Sequence, residues 1–217
     1  MQANITKFVG VWAIATLIFL SGFWLSSWIA DKKINQIQQS IERVALDAES
    51  IEIERLLALE KPCDLTTFEI LTNSLDSMTK KWATMAEEGN VVEKELIKKK
   101  YFLEELRHWH LVRQLNEQCN LSYQTILYFY SKNCPTCEAQ GIVLSAEKEK
   151  LRKNGKELMI YSFDVDLDFA PIILLKAKYK ITETPAIVID GKPYLGFVSD
   201  KDLDQLLAQN TSKGKEI

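Results

Sequence analysis

The stretch that decides the fold of this chain is residues 125–137, which read TILYFYSKNCPTC. Its first half, Thr125–Tyr130, is a run of β-branched and aromatic residues, which is typical of a buried strand. Its second half places Cys134 and Cys137 three residues apart. An amphipathic pattern then continues to about Lys153. The stretch therefore predicts a strand followed by a CxxC motif that opens a helix.

The residues beyond this helix predict the rest of one α/β domain with the order βαβαββα. Asn154-Gly155 ends the first helix, and Asp190-Gly191 turns one strand into the next. The first helix is expected to place Ile142, Val143 and Leu151 on its inner side. The predicted elements after it are a strand at 158–165, a helix at 171–179, strands at 186–189 and 194–197, and a helix at 200–208.

The spacing of the two cysteines suits thiol–disulfide exchange, which needs one thiolate to attack and a second thiol to resolve the mixed disulfide. Cys134, at the mouth of a helix, would lie near the positive end of the helix dipole, which stabilises a thiolate. Pro135 at the first helical position would leave no N–H unpaired, whereas the charge of Glu138 opposes the dipole. We predict that Cys134 attacks and Cys137 resolves. A static disulfide, or half of a zinc site completed by Cys63 and Cys119, is the alternative.

The strand, the CxxC motif and Thr184-Pro185 before a short hairpin resemble the thioredoxin fold family over about residues 125–208. The resemblance implies that Pro185 is a cis-proline beside the active site, that Thr184 and Pro185 bind substrate, and that Pro135 and Thr136 form the active-site loop. The short hairpin is more similar to glutaredoxin-type relatives than to thioredoxin itself.

The sequence also departs from that family. Asn133 stands where thioredoxins have a Trp before the first cysteine, and Tyr128 stands where they have a buried acid. The proton acceptor for the resolving thiol is therefore not identified. Only Gly196 is present where glutathione-binding relatives have two glycines after the hairpin, which argues against glutathione as a ligand.

Residues 8–30 contain no charged side chain and predict a single transmembrane helix after a short tail at 1–7. As a helix they would extend about 34 Å, enough to cross a hydrocarbon core of about 30 Å. Trp12 and Trp28 lie near the two ends, as membrane-interface aromatics do. The alternative is a cleaved signal peptide, although Trp28 occupies the position before the end that should hold a small residue.

The next segment, residues 31–61, predicts a juxtamembrane amphipathic helix. Its apolar residues follow a heptad seam for about two and a half repeats at Ile34, Ile37, Ile41, Val44, Ala48 and Ile51. That seam could join two copies as a homodimer, or it could pack within its own chain. The short length favours packing within the chain.

Residues 62–120 predict an antiparallel helical hairpin, with Thr66 and Glu69 as a capping box and Gly89-Asn90 as the break. Because Cys63 and Cys119 stand at the two outer ends, antiparallel helices would bring them together. We therefore expect a structural disulfide between them. Two free thiols or a second redox pair are the alternatives. A structural disulfide persists in an oxidising compartment, so it predicts that the C-terminal part lies outside the cytoplasm. The positive charges flanking the apolar segment slightly favour the opposite orientation.

The composition excludes some other functions. The formal net charge is −3 and no long run of one charge sign stands out, which argues against nucleic-acid binding. His108 and His110 are two residues apart on a helix and make a poor metal pair. The sequence thus predicts a single-pass membrane thiol–disulfide oxidoreductase with no metal or organic cofactor. It would act on protein thiols and disulfides through a domain at 121–209. A membrane redox partner would restore the redox state of its cysteine pair. A polar tail would follow at 210–217. A cytoplasm-facing reductase and a non-enzymatic scaffold are the alternatives.

Overall fold

The computed structural model of this protein describes residues 2–88 and 91–213. These residues form six helices and four strands, and the chain divides into two compact units after Asp47. In chain order the elements are α1 (Gln2–Glu60), α2 (Leu65–Glu88), α3 (Val91–Cys119), β1 (Gln124–Tyr130), α4 (Cys137–Lys153), β2 (Leu158–Asp164), α5 (Ala170–Tyr179), β3 (Ala186–Ile189), β4 (Lys192–Leu195) and α6 (Asp200–Lys213). The predicted α/β class, preceded by helices, is confirmed, and so is the order βαβαββα of the last seven elements.

The four strands form one mixed sheet in the order β2-β1-β3-β4. Strand β1 runs parallel to β2 and antiparallel to β3, and β3 is antiparallel to β4. One face of the sheet carries a buried core together with side chains of α4 and α6. Its buried members are Ile126, Tyr128, Leu144, Leu158, Ile187, Ile189, Val198, Leu203 and Leu207. This core fixes the C-terminal end of β1, from which the CxxC motif follows.

Helix α3 packs along β2, which is an edge strand of the sheet. The carboxyl oxygen Oε2 of Glu105 accepts a hydrogen bond of 3.2 Å from the backbone N–H of Ser162. The ring of Phe102 meets that of Phe163, with 5.6 Å between their centroids. Unpaired groups on an edge strand otherwise offer a template for association with other chains. The helical hairpin therefore closes this edge of the sheet.

The predicted transmembrane and juxtamembrane helices are one continuous helix, α1, because no proline or glycine interrupts the sequence between Ala30 and Glu60. The last two positions of the heptad seam, Ala48 and Ile51, are buried, whereas Ile34 is 57% exposed. Burial of these two residues favours packing of the seam within its own chain over a zipper between two copies.

Several local predictions are wrong. Asp64, not Thr66, caps α2, because its carboxylate accepts the N–H of Thr66 at 3.1 Å. Ile142 is 65% exposed, and the neighbouring Leu144 occupies the inner position instead. Helix α6 continues to Lys213, five residues beyond the predicted end. The predicted break at Gly89-Asn90 and the tail after residue 213 lie outside the described residues.

Within the described residues, one segment is long and apolar enough to cross a membrane. It is Trp12–Ile29, and all of its side chains are exposed. A signal sequence near an N-terminus can meet the same criteria of length and composition.

Candidate active site

Cys134 and Cys137 form a disulfide between the end of β1 and the start of α4, with their Cα atoms 5.4 Å apart. Cys137 is 6% exposed, whereas Cys134 is only half-buried. The sulfur that a partner can reach is therefore that of Cys134. This difference in access is what an attacking and a resolving cysteine require.

The helix begins at Cys137, three residues later than the first cysteine, so Pro135 is not its first residue. The backbone N–H of Cys137 donates to the carbonyl of Cys134 at 3.4 Å, and Thr136 is the residue before the helix. The four residues from Cys134 to Cys137 thus form a single turn that leads into α4. Cys134 still lies at the N-terminal end of the helix, where the dipole favours a thiolate.

Two buried polar side chains hold this turn in place. The hydroxyl of Tyr128 donates to the carbonyl of Cys137 at 2.6 Å. The amide of Gln140 donates to the carbonyl of Val198 at 3.2 Å and accepts the Val198 N–H at 2.7 Å. These bonds tie the first turn of α4 to strand β1 on one side and to the segment after β4 on the other.

The peptide bond between Thr184 and Pro185 is cis. Because Ala186 of β3 pairs with Phe129 of β1, Pro185 lies at the same end of the sheet as the CxxC motif. The hydroxyls of Thr184 and Ser131 are 2.6 Å apart. The hydroxyl of Thr184 thus joins the proline loop to the segment before Cys134, a contact that the sequence did not indicate.

The backbone just before Cys134 is also hydrogen-bonded to the residues that follow β2. The carboxylate of Asp166 accepts the backbone N–H of Lys132 at 2.8 Å, and the Val165 N–H donates to the carbonyl of Tyr130 at 2.9 Å. Asp166 and Gln140 are positioning residues that the sequence pattern did not indicate. An acid just after a strand and an amide on a buried helix face are weak signals, since such residues are usually assigned to solvent.

The tyrosines nearest the disulfide do not supply a proton acceptor. Burial raises the pKa of Tyr128 to about 12, and burial followed by the charge of Asp164 raises the pKa of Tyr130 to about 12. Both phenols therefore stay protonated at neutral pH. Tyr128 acts as a hydrogen-bond donor where thioredoxins carry an acid.

Cys63 and Cys119 form the second disulfide, which closes a sequence separation of 56 residues, and the described residues contain no free cysteine. They also contain no cluster of three or more His, Cys, Asp or Glu residues placed to hold a metal ion. His108 is buried, and its Nδ1 lies 2.8 Å from the hydroxyl of Tyr161. Burial lowers the pKa of His108 to about 4, so this ring is neutral and packs between α3 and β2.

Solved structures of thioredoxin-like proteins are similar to part of this chain. A crystallised thioredoxin-like protein is 35% identical and matches over 97% of its own length and 38% of this chain, with a TM-score of 0.27. The order and pairing of the elements from β1 to α6 are those of a thioredoxin-like fold.

Two further thioredoxin-like structures are similar to the chain. Thioredoxin-2 of a malaria parasite, described as a component of a protein secretion machinery, is 29% identical over 40% of this chain and 82% of its own, with a TM-score of 0.31. The C-terminal domain of DsbD from Neisseria meningitidis, in its oxidised form, is 22% identical. The match covers 45% of this chain and 87% of that domain's chain, with a TM-score of 0.34. No family model and no curated protein matches the sequence.

Proposed function

We propose that this protein is a membrane-anchored thiol–disulfide oxidoreductase that exchanges disulfides with protein substrates. The observation that carries the proposal is the pairing of a half-buried Cys134 with a buried Cys137 at the start of α4, beside the cis-proline Pro185. A reachable sulfur and a protected sulfur in one turn suit the two steps of disulfide exchange.

In the reducing direction, the thiolate of Cys134 attacks one sulfur of a substrate disulfide and expels the other sulfur as a thiolate. Cys137 then loses its proton to solvent or a base and attacks the Cys134 sulfur of the mixed disulfide. This second step releases the remaining substrate thiolate and closes Cys134–Cys137. Two electrons pass to the substrate, and the same steps in reverse oxidise a substrate dithiol.

Thr184 and Pro185 form the proposed substrate-binding edge, with Pro135 and Thr136 in the active-site loop. A cis-proline at a strand start leaves backbone groups open to an extended chain, and main-chain hydrogen bonds can then dock a substrate whatever its sequence. A protein substrate is favoured because its backbone offers those groups.

Residues 8–30 form the proposed anchor, with the redox domain at 121–209 outside the cytoplasm. The support for this placement is the apolar exposed surface of Trp12–Ile29 and the presence of two disulfides, since disulfides persist in oxidising compartments. Cys63–Cys119 is the structural bond in this arrangement. A partner in the membrane would then restore the redox state of Cys134–Cys137.

The test of the activity uses the full chain in detergent micelles and measures dithiothreitol-driven reduction of insulin. We expect turnover in the wild type and none in Cys134→Ser. Reduced Cys137→Ser, mixed with insulin after dithiothreitol is removed, should remain joined to the substrate as a mixed disulfide. A Cys63→Ser/Cys119→Ser variant is the matched control and should retain turnover at a temperature where it is folded. A wild type without turnover, or a Cys134→Ser variant with full turnover, would favour a scaffold role.

The test of the placement treats intact cells with a membrane-impermeant maleimide before and after reduction. Labelling of all four cysteines only after reduction, without breaking the cells, supports an extracytoplasmic domain. Labelling that needs broken cells and no reductant would place the domain in the cytoplasm and replace the proposal with a cytoplasmic reductase.

A further inference from the structure

We infer that Lys98, on helix α3 of the hairpin, is a positioning residue for the active-site loop and acts on it through Asp164, Asp166 and the backbone of Lys132. The inference rests on the proposed function, because it concerns the reactivity of the Cys134–Cys137 pair. It gives the helical hairpin a part in the redox chemistry beyond that of a spacer.

The first step of this connection is an ion pair between the ammonium of Lys98 and the carboxylate of Asp164. The Asp164 side chain is 3% exposed and that of Lys98 is 34% exposed. A carboxylate buried to this extent needs a countercharge, because an unpaired charge inside a protein is strongly unfavourable. Lys98 is the cation that the structure places on this carboxylate.

The second step runs from Asp164 to Asp166. One oxygen of Asp164 takes the ion pair with Lys98, and the other accepts the backbone N–H of Asp166 at 2.9 Å. The Leu167 N–H also donates to the carbonyl of Asp164 at 3.4 Å. The residues just after β2 are therefore folded into a turn around the Asp164 side chain.

The third step joins this turn to the active-site loop. The Asp166 carboxylate accepts the backbone N–H of Lys132, two residues before Cys134, at 2.8 Å. Lys98 also lies 5.7 Å from the centroid of the Tyr130 ring, at the end of β1. A change at Lys98 thus reaches the backbone that carries Cys134 through one ion pair and two hydrogen bonds.

The experiment compares Lys98→Met with Lys99→Met as its matched control. Lys99 is the next residue on α3, has a similar exposure of 29%, and pairs with Glu95 on the helix surface at 2.5 Å. Lys98→Arg keeps the ion pair, and Asp164→Asn keeps an oxygen that can accept the Asp166 N–H. All variants are prepared as the full chain in detergent, and circular dichroism confirms that each is folded.

Two readouts are taken on each variant. The first is kcat/KM for insulin reduction. The second is the rate at which iodoacetamide alkylates Cys134 in the reduced protein across pH, read by mass spectrometry. A residue that only supported overall stability would leave the pH profile of a folded variant unchanged.

We expect Lys98→Met to lower kcat/KM by on the order of tenfold, since a small displacement of a reacting group can cost up to about 100-fold. Its alkylation profile should move to higher pH, because displacement of the loop takes Cys134 away from the N-terminal end of α4 that stabilises its thiolate. Lys98→Arg should restore both readouts, and Lys99→Met should match the wild type. In the Asp164→Asn background, Lys98→Met should add no further loss.

Unchanged readouts in folded Lys98→Met would overturn the inference. So would an equal loss of kcat/KM in Lys99→Met, or a Lys98→Met change that lowers kcat/KM just as much when Asp164→Asn is already present. If Lys98→Met does not fold, the Asp164→Asn single and double variants decide the question, because removing both charges leaves no unpaired ion. A wild type without turnover defeats the proposed function instead, and the alkylation profile then still tests Lys98.

Discussion

Removal of the Cys63–Cys119 disulfide should destabilise the protein by an amount that follows from its position. The bond joins residues 56 apart in sequence. In the chain-entropy description, closing a loop of that size removes about 14 cal/mol/K from the unfolded chain, which is about 4 kcal/mol at 25 °C. Cys63→Ser/Cys119→Ser should therefore lower the free energy of unfolding by up to about 4 kcal/mol.

Guanidinium chloride unfolding of the full chain in detergent, followed by circular dichroism, measures this loss. With a denaturant slope of about 4 kcal/mol/M, the midpoint should fall by about 1 M. Cys134→Ser/Cys137→Ser is the control, because its bond spans a separation of only three residues and the same relation gives about half the effect. If the first variant loses less than about 1 kcal/mol, packing alone holds the hairpin ends together and the entropy argument fails.

Three further changes test separate contacts. Burial raises the pKa of Glu105 to about 8, so the folded state holds a proton that the unfolded state releases above about pH 4.5. Stability should therefore fall as pH rises from about 5 to 8, and melting temperatures of Glu105→Gln should show a flatter dependence in that window. Trp82→Ala removes a side chain that is 1% exposed and should cost about 3–5 kcal/mol in denaturant unfolding, whereas the exposed Ile70→Ala should change little. Tyr128→Phe loses the hydrogen bond to the Cys137 carbonyl and should cost about 1 kcal/mol; an unchanged midpoint would show that water replaces the hydroxyl.

The strands were the most predictable part of the fold. The predicted strand at 125–130 begins one residue late, and the strand at 186–189 matches β3 at both ends. Runs of β-branched and aromatic residues bounded by turn residues carry this information locally. The last hairpin strand was placed two residues too late, because Lys192 and Pro193 of β4 are exposed and lack the apolar pattern.

The start of α4 was less predictable than its existence. Local pattern indicated a helix after the CxxC motif, but the disulfide holds Cys134–Cys137 in a turn, so the helix begins at the second cysteine. The sequence also did not indicate that α1 is continuous. A change from apolar to charged composition at Asp31 suggested a boundary, yet no residue there breaks a helix.

The candidate site was predictable in its cysteines and proline but not in its supporting residues. Cys134, Cys137 and Pro185 belong to short motifs that can be read from neighbouring residues. The contacts of Lys98 with Asp164 and of Gln140 with Val198 join residues 66 and 58 positions apart. Such contacts depend on tertiary packing, and periodicity in one sequence contains no information about them.

The cover that α3 provides for β2 has a consequence for how the protein is made. The hairpin precedes the sheet in the chain, and domains are generally formed from the N-terminal side during synthesis. The residues that close the strand, Phe102 and Glu105, therefore emerge more than fifty residues before Leu158–Asp164. Helix α3 is therefore already synthesised when β2 forms. A chain that starts after residue 120 would lack α3, and the uncovered edge of β2 could then pair with other chains.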